Sequence, residues 1–109
     1  MIAPAVERKI VVAGLAELTL AATEWKNAYW AKEKGLFAKV FETKNELTKE
    51  TDILAEKLAS YNPDAITEMK KVLWEGTQNW NNLLLERAEI TGKLVLSDFT
   101  KKALSKFKK

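Results

Sequence analysis

The chain has 109 residues, 47% of them hydrophobic and 30% charged, with a net charge of +3. That length allows one domain, or part of a larger one, with a modest core. It contains neither cysteine nor histidine, which excludes disulfides and thiolate metal sites and removes the commonest metal ligand and general base.

The charge is unevenly placed. Residues 97–109 carry five lysines and one aspartate, and the rest of the chain is close to neutral. Such a tail suits phosphates, anionic lipid or acidic protein, and equally a solvated helix end whose lysines face the negative end of the dipole. The run "IVVAGLA" at 10–16 is too short to span a bilayer and is bracketed by Glu7 and Glu17. No secretory signal is visible, so the expected location is cytoplasmic, with no membrane partner.

The first helix is expected to begin near Pro4, since proline suits the first helical turn. Val11, Leu15, Leu18, Ala22 and Trp25 follow spacings of 4, 3, 4 and 3, one face of a helix. Gly14, inside it, implies close approach of another backbone. A break at Thr23 and Glu24 leads to a short second helix over 28–34, capped by Asn27 and ended by Gly35 in the left-handed conformation. "LFAKVF", 36–41, reads as a short extended segment buried on much of both sides. A third helix runs from Thr43 or Lys44 to about Ser60, with Leu47, Thr51, Leu54 and Leu58 as its stripe.

"YNPDA" at 61–65 marks a sharp boundary: Asn62 caps, Pro63 takes the first helical position, and Asp64 meets the positive dipole end. A long fourth helix is expected from Pro63 to between Ile90 and Leu94. Ile66, Met69, Leu73, Gly76, Trp80, Leu83 and Leu84 lie on one face, widened by Trp74 and Leu85. Ser97 then caps a last helix from Asp98 to about Lys108. The expected fold is therefore all-α: about five helices, two of them long, with one extended segment at 36–41.

The chemistry-bearing motifs are few. There is no Gly-rich phosphate loop and no nucleophile elbow. Glu86 and Glu89 are paired at helical spacing with Arg87 between them, which suits a solvated face; a di-iron bundle would need histidines as well. The basic residues concentrate in one terminal helix instead of covering a face interleaved with aromatics, which argues against a nucleic-acid partner.

The segment Ala28–Phe41, "A-x-x-A-x-x-x-G-L-F-x-K-V-F", resembles the enoyl-CoA hydratase/isomerase (crotonase) superfamily, where a helix with "A-x-x-A" runs into "G-L-V-x-x-V". Upstream, "LAELTLAATEW" at 15–25 is similar to the family's helix ending in "L-T-G-D-x", although Thr23 stands where glycine is usual. "IAPAV" at 2–6 resembles the "G-x-x-P-A-V" of the methylglutaconyl-CoA hydratase-like branch. "LAEKLASYNPDAITEMKKVL" at 54–73 and "SDFTKKALSKF" at 97–107 are similar to later family segments, with Lys101 and Lys102 near the usual Glu-Gly.

The resemblance covers the whole chain and implies that residues 1–109 are the C-terminal helical, oligomerisation region of a crotonase-type α/β spiral protein. The implied parent hydrates a 2-enoyl-CoA or shifts its double bond, in fatty-acid or amino-acid breakdown. Its oxyanion-hole and acidic catalytic groups would lie upstream of Met1. This chain would then carry no catalytic residue, no metal and no cofactor of its own, and would be inactive alone. What the resemblance leaves to it is assembly, as trimers or hexamers in the family, and part of the acyl-CoA site, with Phe99, Lys102 and Phe107 as candidates. Apolar faces left uncovered imply a homo-oligomer, most simply a dimer with the first or fourth helix exchanged or packed across a two-fold axis. Two other readings stand beside it: a self-sufficient helical interaction module, and a small CoA-binding bundle centred on the basic tail.

Overall fold

The computed structural model describes residues 2–107. It is all-helical, with no strand among the described residues: α1 Ala3–Leu20, α2 Ala28–Glu33, α3 Lys44–Ser60, α4 Pro63–Leu73, α5 Trp80–Val95 and α6 Asp98–Ser105. That is six helices where the sequence predicts five.

Most helix starts follow from caps that the sequence displays. Asn27 accepts from the Trp30 N–H at 2.9 Å. Thr43 and Glu46 form a reciprocal capping box, which satisfies two otherwise orphaned donors. Asn62 accepts from the Asp64 N–H at 2.9 Å, with Pro63 in the first turn behind it. Ser97 accepts from the Thr100 N–H at 3.3 Å. The last helix ends at Ser105, short of its expected end; Lys108 lies outside the described residues.

The expected long fourth helix is two helices. Gly76 has φ +85, a left-handed conformation that costs an L side chain roughly 1–2 kcal/mol and glycine nothing. Thr77 follows, and its hydroxyl donates to the Trp74 carbonyl at 2.7 Å. The ring of Trp80 meets that of Trp74 edge-on across the break, centroids 5.8 Å apart at 87°. The freed carbonyls at the end of α4 are claimed from α1: Arg8 Nη2 donates to Leu73 O at 2.7 Å and to Glu75 O at 2.6 Å. Gly76 is thus a helix terminator, not a member of an apolar face.

The segment 36–41 is a loop and not a strand. Gly35 takes φ +89, and the N–H groups of Leu36 and Phe37 both donate to Ala31 O, at 2.8 and 3.1 Å. These bonds close the end of α2 in the manner of a Schellman turn. None of the six residues is buried, so the expected burial on both sides is not realised within the chain.

The first helix also differs from its expected stripe. Val11 sits at φ 53, ψ 178, a kink inside α1. It is exposed, and Trp25 is 99% exposed. Ile10 (2% exposed) and Gly14 are buried instead, with Ala31 of α2 (6%). A Cβ on Gly14 would meet the Ile10 side chain at 2.9 Å, so this glycine makes room for a side chain of its own helix across the kink, not for another backbone.

The result is an open molecule. Among the described residues, α1 packs on α5 and α5 on α6, and these are the substantial helix pairs. Helices α3, α4, α5 and α6 contain no buried residue. The radius of gyration is 18.8 Å, where a compact chain of this length has about 13 Å. The accessible surface is 9636 Å², against about 6,100 Å² for a folded monomer of this mass.

Candidate functional site

The three residues singled out in the tail stand in solvent. Phe99 and Phe107 are each 84% exposed, and Lys102 is exposed. Phe99 and Lys102 lie three residues apart on α6 and so on one side of it. Phe107 lies past the helix end, in a turn where its N–H donates to Leu104 O at 3.0 Å. The opposite side of α6 is tied to α5 by the Thr100 hydroxyl, which donates to Leu94 O at 2.9 Å. Among the described residues, the ion pair on α6, Lys101–Asp98 at 3.9 Å, is exposed on both sides and is worth little. Phe99 and Lys102 are therefore brought together and Phe107 is not. No second wall faces them, so they could stack on and pair with a nucleotide only when another surface closes over it.

The best-organised polar centre lies elsewhere, where α1 meets α2. Glu17 Oε1 accepts from the Trp30 indole N–H at 2.9 Å and pairs with Lys26 at 3.0 Å, while its Oε2 faces Lys34 at 3.4 Å. Both ammonium groups also lie over the Trp30 ring, 5.7 and 6.0 Å from its centroid, a cation–π arrangement. The hydrogen bond from Lys26, then that from Trp30, holds the Glu17 carboxyl below its ordinary value. Lys26 is raised by its bonds to Glu17 and Glu24. A carboxylate so stabilised is a poor proton acceptor: it is an anchor, not a general base. Tyr29 donates its hydroxyl to Glu42, and that hydrogen bond, then the carboxylate's charge, raises the phenol's pKa, so it is not an activated nucleophile either. Glu89, from the carboxylate pair noted in the sequence, is occupied by Lys93 at 2.7 Å. Among the described residues no group of acidic side chains could hold a metal ion.

An apolar groove of ≈ 600 Å³ lies between the 36–43 loop and the start of α3. Its floor is made by Leu36, Phe37, Val40, Phe41 and Leu47. It continues through Ala38 and Phe41 into a second depression of ≈ 360 Å³ along α3, reaching Ile53 and Leu54. Lys39 and Lys44 stand at its rim, and neither has an ion-pair partner among the described residues. The signal for this groove was present in "LFAKVF"; reading those side chains as internally buried hid it. The Glu17 centre had no such signal, because its partners meet only once Asn27 and Gly35 have turned the chain.

No family model, no curated protein and no solved structure matches the chain.

Proposed function

We propose that this chain is an assembly segment, a helical region that completes its core against further protein and performs no chemistry by itself. The observation that carries this is the unburied apolar surface. Leu47, Leu54, Leu58, Met69, Val72 and Leu73, from two consecutive helices, are all about half exposed or more. The total accessible surface exceeds that of a compact monomer by about 3,500 Å². Apolar patches beyond a few hundred Å² mark association surfaces. A self-sufficient interaction module would instead need an interior, and in this chain Ile10 and Ala31 are the buried hydrophobic side chains among the described residues.

In its finer form the proposal is that the segment is the trailing helical part of a crotonase-type enoyl-CoA hydratase or isomerase, supported by the order and spacing of the motifs from Ile2 to Phe107.

Light scattering with small-angle scattering tests the first statement. An oligomer at tens of micromolar with a concentration-dependent melt is expected. A monodisperse monomer with a radius of gyration near 13 Å and a concentration-independent two-state melt would make it a stand-alone module. The finer statement is tested by the coding sequence upstream of Met1. In-frame strands, a Gly-rich segment and a glutamate shortly before Ile2 are expected; an in-frame stop codon there would overturn it.

A further inference from the structure

We infer that the groove between the 36–43 loop and α3 is the seat for α4 of a second copy of this chain, the two copies exchanging α4 reciprocally across a two-fold axis. This rests on the assembly reading and names the surface and the occupant.

The groove and α4 are complementary in what each lacks. The groove is an apolar channel continuing along α3, and α3 belongs to neither of the substantial helix pairs. Helix α4 is also outside those pairs. Its apolar residues Ile66, Met69, Val72 and Leu73 fall at positions 3, 4 and 7 apart, so one face carries them all. Three of the four are more than half exposed. At 11 residues α4 is about 16 Å long, and the 17 residues of α3 give about 25 Å, so one lies within the length of the other.

Charge agrees. Among the described residues, Lys39 and Lys44 at the groove rim have no ion-pair partner, and neither has the carboxylate of Asp64 in the first turn of α4. Lys44 moreover begins α3, where the positive end of the dipole makes an anion welcome.

Area decides for a second copy over a small ligand. The excess surface of about 3,500 Å² is far more than a small molecule covers. It exceeds the roughly 1,000–2,500 Å² that each partner of an obligate dimer removes, so a second copy can cover a large part of it and a small ligand cannot. Reciprocal exchange is isologous, so it closes at two copies and treats both unpartnered helices alike.

The absence of cysteine makes the test clean. A38C, in the groove, and M69C, on α4, are prepared as separate chains of different tag length, mixed, and oxidised. In the exchanged dimer the mixed disulfide forms on the order of a hundredfold faster than either single-variant disulfide, because seating raises the effective concentration from about ten micromolar to about a millimolar. Met69→Glu, checked for retained helix by circular dichroism, shifts the chain to monomer. A dimer by light scattering whose 38–69 pair does not cross-link, and which Met69→Glu leaves intact, overturns this inference and leaves the assembly reading standing. A compact monomer overturns both.

Discussion

The indole N–H of Trp30 and the carboxylate of Glu17, 2.9 Å apart, join α1 to α2 across thirteen residues of sequence. The same carboxylate receives Lys26 and Lys34, so one residue pairs with two ammonium groups and orients the ring beneath them. Because the Glu17 pKa is lower in the fold than its ordinary 4.5, its contribution to stability is fully present above that value. It is lost as pH falls through the lower, folded pKa. Near-UV circular dichroism is therefore expected to be flat from pH 8 to 5 and to change only below the ordinary value of 4.5. Glu17→Gln should weaken the signal already at neutral pH and remove most of this acid transition. Superimposable acid titrations of the two chains would show that Glu17 does not hold the turn.

Val11 is a β-branched residue at positive φ, a conformation that costs on the order of 1–3 kcal/mol. In a straight helix, replacing valine by glycine destabilises by several tenths of a kcal/mol. At this kink the sign reverses: Val11→Gly should stabilise by about 1 kcal/mol, since glycine enters that region freely and the exposed valine packs on little. Urea unfolding at fixed protein concentration separates the two cases. A loss of stability would mean that α1 runs straight through residue 11.

The difference between what the sequence discloses and what it conceals runs along this same line. Local chemistry was legible: Asn27, Asn62 with Pro63, Ser97 with Asp98 and Gly35 each announce a helix end through a hydrogen bond or a φ value that they alone settle. Gly76 was misread because apolar periodicity on both sides of it, Ile66 to Leu73 and Trp80 to Leu84, keeps helical phase across the break. Periodicity shows which residues share a face but not whether the backbone is continuous between them. The burial of Val11 and the 36–41 hexad was misread for another reason. An apolar residue declares a wish for cover, and the cover need not lie in the same chain. The tail residues Phe99, Lys102 and Phe107 were placed by resemblance, and the fold brings together two of the three.

The end of α4 is held from a distance by Arg8, whose two bonds to Leu73 O and Glu75 O satisfy carbonyls that a helix end leaves free. Arg8→Met keeps the aliphatic stem and removes both bonds, and should cost about 1 kcal/mol, the usual net worth of such a contact. Gly76→Ala should cost about as much through φ alone, since a Cβ there meets only Arg8 Nη1 at 3.6 Å, an ordinary contact. Urea midpoints of the two single variants and the double variant measure both terms. A harmless Gly76→Ala would mean that α4 and α5 are one continuous helix.

The basic tail leads to a prediction about affinity. A nucleotide on α6 would meet Lys102 and one exposed ring, Phe99, with Lys106 a turn further on and solvent opposite. An exposed ion pair supplies about 0–1 kcal/mol, and an exposed aromatic contact adds a similar amount. A dissociation constant of 1 mM already requires about 4 kcal/mol. The chain alone should therefore bind CoA with a Kd weaker than about 1 mM, and ionic strength of 0.15 M should screen away much of what remains, since the phosphate–lysine attraction acts through water. Titration calorimetry at low and physiological salt, with Lys102→Gln and Phe99→Ser alongside, reads this directly. Both substitutions should leave the melt unchanged, because neither side chain is buried. A micromolar Kd lost in either variant would mean that the tail makes a site unaided, and the small CoA-binding bundle would then displace the assembly segment as the account of this chain.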